Sequence, residues 1–217
     1  MLKFTFAVQK QKAGDMGRAK GHNCRTHPTA SQLPKRAWFT KAGHHTITEW
    51  SDAKVAEAKA MSKRKDAVVG IDIVIQVGNQ LDWRDPPTKD YPEGKPKAKK
   101  PADLNALAKA GKAWLEAEFG AENVVSIEVH TDESTPHLQA VVIPRKDGKL
   151  QAKAWMDGPA KLAQLRERAY KAVNRLIPCE YDKGAPGGKP HDPSKAAGNE
   201  PQPGLIERLT GWKRSEE

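Results

Sequence analysis

Cysteine is nearly absent: Cys24 and Cys179 are the two in 217 residues. Two distant thiols exclude a disulfide framework and a cysteine metal ladder. No apolar stretch approaches the roughly 20 residues that a bilayer-spanning helix requires. Met1-Leu2-Lys3-Phe4-Thr5-Phe6-Ala7-Val8 alternates like a strand, and no apolar signal-peptide core follows it. A cytoplasmic protein is therefore expected. Tyrosine is also scarce, with only Tyr91, Tyr170 and Tyr181 available to any chemistry that needs a phenol.

Positive charge is abundant. Lys and Arg number 37 against 27 acidic residues, giving a net charge of +10 and a pI near 9.5. Such a chain attracts polyphosphate through counterion release and long-range steering. The charge is unevenly placed. Lys95, Lys97, Lys99 and Lys100 cluster in one segment, and Lys161, Arg166, Arg168, Lys171 and Arg175 decorate one expected helix. These patches suit a nucleic-acid backbone, although they cannot by themselves read its sequence.

The order of elements predicts one α+β domain over residues 1–179. A strand at 3–9 leads into a polar segment containing Gly and His, up to about residue 47. Residues 48–65 are mostly helix-forming, and the near-continuous apolar run 68–77 reads as a central, buried strand. Residues 78–101 hold five prolines and many lysines, which predicts a loop. Leu104, Leu107, Gly111, Trp114, Leu115 and Phe119 then share one face of a helix over 102–119. A final helix should start after Asp157, as N-cap, and run to Leu176 before Pro178. Residues 180–217 are too rich in Gly and Pro to build a core, and read as a flexible extension ending in a short helix at 205–212.

Between the last two helices lies the run that carries chemistry, His130-Thr-Asp-Glu-Ser-Thr-Pro-His137-Leu-Gln139. Apolar stretches of β type flank it, Val124-Val125-Ser126-Ile127-Glu128-Val129 before and Ala140-Val141-Val142-Ile143 after. Two strands joined by a polar turn predict a hairpin. Alternation puts Ser126, Glu128 and His130 on one face of the first strand, and His137 and Gln139 together on the second. In matching register His130, His137 and Gln139 converge as neutral donors suited to a divalent cation. A cation so held stays electrophilic toward a phosphate.

The same run resembles the signature H-x-D-E-x-T-P-H-x-H of the plasmid mobilisation and recombination proteins, the Pre/Mob or MobV relaxases. Gln9-Lys10-Gln11-Lys12-Ala13-Gly14-Asp15-Met16-Gly17, followed by His22-Asn23-Cys24-Arg25, resembles that family's first motif. Arg64-Lys65-Asp66-Ala67-Val68 is similar to its R-K-D-A-V, and Gly148-Lys149-Leu150-Gln151-Ala152-Lys153 to its G-x-L-S-x-K. The four motifs stand in family order from about residue 9 to 155.

The resemblance implies a central antiparallel sheet with helices on one face, of the His-hydrophobe-His endonuclease type. It implies a metal-dependent relaxase that nicks one strand of plasmid DNA at the transfer origin, keeps the 5′ end covalently, and serves mobilisation or recombination. It maps the nucleophile to His22 and the metal ligands to His130, His137 and Gln139. Glu133 would orient His22 or accept its proton, Asp132 would steady a ligand histidine, and Asn23 and Arg25 would contact DNA. Cys24 reads as a bystander, and His27, His44, His45 and His191 as ordinary histidines. Gln139 stands where the family has histidine, which moves the expected metal toward Mn²⁺ or Mg²⁺. The implied partners are supercoiled and single-stranded origin DNA, the conjugation coupling machinery and a second copy in a homodimer. Two other readings stay open. One is a rolling-circle replication initiator using a tyrosine such as Tyr170; the other is a catalytically impaired origin-binding protein marked by Gln139.

Overall fold

The computed structural model describes residues 1–181. The elements run β1 (Leu2–Lys12), α1 (Met16–Asn23), β2 (His44–Thr48), α2 (Asp52–Met61), β3 (Val68–Val77) and α3 (Gln80–Trp83). They continue with α4 (Leu104–Phe119), β4 (Val124–His130), β5 (His137–Val142), β6 (Arg145–Lys146), β7 (Lys149–Leu150), α5 (Lys153–Met156), α6 (Gly158–Asn174) and β8 (Cys179–Tyr181).

Six strands form one sheet in the order β2-β4-β5-β3-β1-β8, and β6 and β7 make a separate short hairpin. The long apolar β3 lies inside the sheet between β5 and β1, as its composition predicts. Every neighbouring pair is antiparallel except β1 and β8, where Leu2 pairs with Cys179. The sheet is therefore mixed. Ile177 and Cys179 are buried in the core, and docking them carries the chain along β1 in the same direction. The described strand reaches Tyr181, and the extension expected after residue 180 otherwise lies outside the described residues.

Helices cover both faces of the sheet rather than one. On one face Ile71, Ile73, Ile75, Ile127, Leu138 and Ala140 pack against Leu107, Trp114 and Leu115 of α4 and Leu165, Ala169 and Val173 of α6. Fully burying one such side chain contributes about 1.5–3 kcal/mol, so this layer holds the sheet. On the other face Val69, Val125, Val141 and Ile143 meet Met16 and Ala19 of α1 and Val55 and Ala58 of α2. The polar segment after β1 is read from the sequence without secondary structure, and it holds α1, a helix of eight residues with few apolar side chains. Two buried anchors, Met16 and Ala19, suffice to dock it.

Local caps set the ends of these elements. Asp103 accepts a hydrogen bond from the Asn105 backbone N–H at the start of α4. Asn79 and Asp82 form a reciprocal capping box on α3, which buries Trp83 with its indole N–H on the Val77 carbonyl, 2.8 Å away. Asp157 precedes α6 as expected, although its side chain makes no capping hydrogen bond. Among the described residues no helix is long and apolar enough to cross a membrane.

Candidate active site

The β4–β5 register sets His130 opposite His137 and Glu128 opposite Gln139. His130 Nδ1 lies 3.2 Å from His137 Nε2. His130 Nε2 is 2.9 Å from the Asn23 carbonyl oxygen, and His137 Nδ1 is 3.0 Å from that of Thr135. Carbonyls only accept, so each outer nitrogen carries the ring proton. In neutral rings both facing nitrogens then present lone pairs to each other. Burial first, then His137 and Arg25, hold the His130 pKa well below its ordinary value, so that ring stays neutral. Two lone pairs this close repel unless a positive centre, a shared proton or a metal ion, sits against both. Nitrogen–metal bonds run about 2.1 Å, so one ion spans the pair. The donor chemistry fits a divalent cation.

Glu133 supplies an anionic corner. Its Oε1 lies 3.9 Å from His130 Nδ1 and 3.7 Å from His22 Nε2. Ligand atoms of His22, His130 and Glu133 all fall within 4.8 Å of one another. Burial works against ionising Glu133, but His137 and Arg25 outweigh it and hold the carboxyl below its ordinary pKa.

Helix α1 delivers His22, with its ring centroid 5.5 Å from that of His130 and nearly perpendicular to it. The side chain is about one-third exposed, so a substrate can reach it. Burial, only partly offset by Glu133, lowers its pKa. The imidazole is neutral near pH 7, with a lone pair available.

Arg25 ties α1 to the hairpin turn. Its Nε and Nη2 donate to the two Asp132 oxygens at 2.8 Å each, Nη2 also donates to Glu133 at 2.5 Å, and Nη1 donates to the His22 carbonyl at 2.8 Å. The side chain is 4% exposed. Expected at a DNA phosphate, Arg25 is spent inside the protein instead. Its φ of +52° lies in the left-handed region, which costs a non-glycine residue about 1–3 kcal/mol. These four charge-assisted bonds offset that strain.

The other predicted residues fall around this centre. Asp132, expected to steady a ligand histidine, accepts from Arg25 and from Gln32 Nε2 at 2.7 Å. Asn23, expected at DNA, is fully buried; its carbonyl orients His130, and neither side-chain amide atom has a partner. Gln139 lies on the ligand face, and its amide nitrogen donates to both Asp72 oxygens at 3.0 Å. Burial raises Asp72 to about 6 and the neighbouring Glu128 to about 7. Cys24 follows α1, and burial and Glu128 push its thiol up to about 11, which keeps it protonated and unreactive. His27 is exposed beside Thr26, His44 and His45 lie on edge strand β2, and His191 is outside the described residues.

Sequence reading missed Gln32, Asp72 and Arg84. Arg84 is fully buried, with its guanidinium on the carbonyls of Ser134, Glu133 and Gly94 and stacked 4.3 Å from the Phe39 ring. It grips the backbone that presents Glu133. Burial lowers its pKa to about 10. No local pattern marks a residue whose partners at Glu133 and Ser134 stand 49 and 50 positions away.

A family model described as plasmid recombination enzyme matches residues 2–195. The chain belongs to the plasmid recombination enzyme family. Among members of this family, a plasmid recombination enzyme of Streptococcus agalactiae is 28% identical over 165 residues, covering 69% of this chain and 30% of that protein. A plasmid recombination enzyme type 3 of Staphylococcus aureus is 33% identical over 76 residues, 35% of this chain and 18% of that one. A 65 kDa protein of Zymomonas mobilis is 38% identical over 78 residues, 35% of this chain and 13% of its own length. This family member thus spans under a third of each of those relatives. Among solved structures, the MobM relaxase domain bound to plasmid pMV158 oriT DNA, with Mn, superposes with a TM-score of 0.61 at 23% identity. That likeness covers 86% of this chain and 93% of that one. It shows the fold that a plasmid recombination enzyme of this type adopts.

Proposed function

We propose that this chain is a relaxase that nicks one strand of plasmid DNA at a transfer origin. The observation that carries the reading is the pair of facing ring nitrogens of His130 and His137, 3.2 Å apart, with Glu133 and His22 beside them. Helix α1, remote in sequence from the β4–β5 hairpin, brings the partly exposed His22 beside His130 and Glu133, which supports reading them as a nucleophile next to a cation site. Family membership and the likeness to a relaxase domain support the same chemistry.

In this reading His130, His137 and Glu133 hold Mn²⁺ or Mg²⁺, and Asn23 and Thr135 fix the two ring tautomers from behind. When bound, the cation supplies charge neutralisation at the oxygens of the scissile phosphate. His22 attacks phosphorus through its unprotonated nitrogen. An N–P bond forms, the P–O3′ bond breaks, and the 3′ oxygen leaves to take up a proton. The 5′ phosphate stays on the imidazole, and its labile phosphoramidate lets the same site reseal the strand. Arg25 keeps α1 seated while the bond is made. The partner is plasmid origin DNA, drawn in by the net charge of +10.

A tyrosine mechanism has no support in the geometry. Tyr170 lies on α6, in contact with the opposite face of the sheet from α1, and its hydroxyl donates to the Cys179 carbonyl at 3.3 Å. The test is cleavage of supercoiled origin DNA with Mn²⁺, Mg²⁺ or EDTA, followed by a denaturing gel for protein-linked DNA. Cation-dependent nicking with a 5′ adduct that is lost in His22→Ala supports the reading. An adduct that survives His22→Ala, or tight origin binding without nicking under any cation, overturns it.

A further inference from the structure

Successive carbonyls of the β4–β5 turn accept hydrogen bonds from segments remote in sequence. Thr131 accepts from the Phe39 backbone N–H and Asp132 from that of Leu33, at 2.8 Å each. Glu133 and Ser134 accept instead from one side chain, Arg84, through Nη2 and Nε at 2.7 Å each. A guanidinium can reach both because its N–H groups form a rigid planar fork.

The two carbonyls on either side of the Glu133 Cα settle the backbone of that residue. The bond from Leu33 to the Asp132 carbonyl holds the peptide plane before it, and the bond from Arg84 holds the plane after it. Peptide planes are rigid, so pinning both restrains φ and ψ of Glu133 together. The carboxylate is then placed by its side-chain torsions alone, and Arg25 holds its far end at 2.5 Å.

Arg84 is itself firmly seated. It is fully buried, and its guanidinium carbon lies 4.3 Å from the centre of the Phe39 ring. Nη1 donates to the Gly94 carbonyl at 3.0 Å. Gly94 has a φ of +78°, and a Cβ there would stand 2.5 Å from the Asp85 carbonyl oxygen, so the loop that closes on Arg84 needs glycine at that point. These hydrogen bonds all end on neutral carbonyls. Burying a cation on neutral acceptors is costly, and an apolar side chain would fill the same space without that cost. An apolar side chain could not hold two successive peptide groups.

We infer that Arg84 is a positioning residue for the cation site, acting through the Glu133 backbone to set how tightly the ion is held. The inference rests on reading Glu133 as a ligand beside His130 and His137.

The test is the Mn²⁺ affinity of the full chain without DNA, read from free Mn²⁺ by electron paramagnetic resonance. Arg84→Lys keeps the charge but gathers its donors at one point, so it cannot hold Glu133, Ser134 and Gly94 together. It should weaken Mn²⁺ binding about 10–100-fold, as loss of a group that orients a ligand does. Leu165→Ala lowers stability from the opposite face of the sheet and should keep Mn²⁺ affinity within about twofold. Glu133→Gln should weaken binding by itself, and adding Arg84→Lys to it should change the affinity by less than about twofold, because the fork then has no ligand to place. If circular dichroism shows Arg84→Lys to be unfolded, Phe39→Leu takes its place. That change removes the ring beneath the guanidinium at a half-buried position and should weaken Mn²⁺ binding about two- to fivefold. Unchanged Mn²⁺ affinity in the folded Arg84 variant, or in Phe39→Leu where that variant stands in, overturns the inference. So does a full further loss in the Glu133→Gln background, or an equal loss in Leu165→Ala. If Glu133→Gln alone leaves the affinity unchanged, the reading of Glu133 as a ligand fails on a measurement that does not involve Arg84, and the inference falls with it.

Discussion

Arg25 holds both carboxylate oxygens of Asp132 at 2.8 Å across 107 residues of chain. This pair ties the chain just after the short helix α1 to the β4–β5 turn. Both side chains are almost wholly shielded, at 4% and 0% exposure, so water cannot replace either partner.

Removing one member of such a buried pair strands the other, at a cost of about 3–5 kcal/mol. Asp132→Ala should fall near the lower end, because Glu133 and the His22 carbonyl remain as acceptors for Arg25. Arg25→Ala strands Asp132 with Gln32 alone and should cost more. Urea denaturation of both single variants and the double variant forms the check. The double variant should lose clearly less than the sum. Additivity within about 0.5 kcal/mol would show that the two groups are not coupled.

The facing nitrogens of His130 and His137 make a thermal prediction. A cation that binds the folded chain alone stabilises it by about 2.7 kcal/mol at a concentration 100 times its Kd. Mn²⁺ should therefore raise Tm in a concentration-dependent way, and EDTA should reverse the rise. His137→Ala removes one of the two lone pairs and should abolish most of the shift. A full shift in His137→Ala would place the cation elsewhere.

The parts of this fold that were legible in the sequence are those with a strong local period. The alternating hairpin and the apolar β3 were both readable, and α4 declared itself by the spacing of Leu107, Trp114 and Leu115. Helix α1 and strand β2 were hidden because their stability comes from partners far along the chain. Met16 docks under the sheet, and Arg25 reaches Asp132. Alternation did place Gln139 on the ligand face. It could not show that Asp72, 67 residues earlier, would claim the amide nitrogen. Glu133 sits in the turn, where period-2 reasoning gives no direction for a side chain. The second layer of helices was missed for a related reason: α1 and α2 bury only a few small apolar residues each.

Cys24 provides a pH test that is independent of cleavage. Its thiol is pushed up to about 11 by burial and by Glu128. At pH 8 only about one molecule in a thousand would carry the thiolate, against about one in four for a free cysteine of pKa near 8.5. Alkylation by iodoacetamide at pH 8 should then be at least about 100-fold slower than for free cysteine. The rate should climb about tenfold per pH unit toward pH 11, because the raised pKa moves thiolate formation to higher pH. Mass spectrometry of the peptide holding Cys24 reads this directly. Fast labelling at pH 8 would restore Cys24 as a nucleophile to be considered.

Gly111 sets the distance between α4 and the hairpin. A Cβ built there would meet Leu138 Cδ1 at 2.5 Å, inside any real contact. Two effects oppose each other in Gly111→Ala. Alanine favours the helix by about 1 kcal/mol over glycine, while forcing extra volume into a packed core costs about 1–3 kcal/mol. Leu138 is fully buried and directly follows His137, so it has no room to retreat without moving β5. Overpacking should win, and Gly111→Ala should lower Tm. Because β5 carries His137, the Mn²⁺-induced rise in Tm should shrink as well. A variant more stable than the parent would show that α4 can slide away from the sheet, and that the helix does not set the position of the histidine pair.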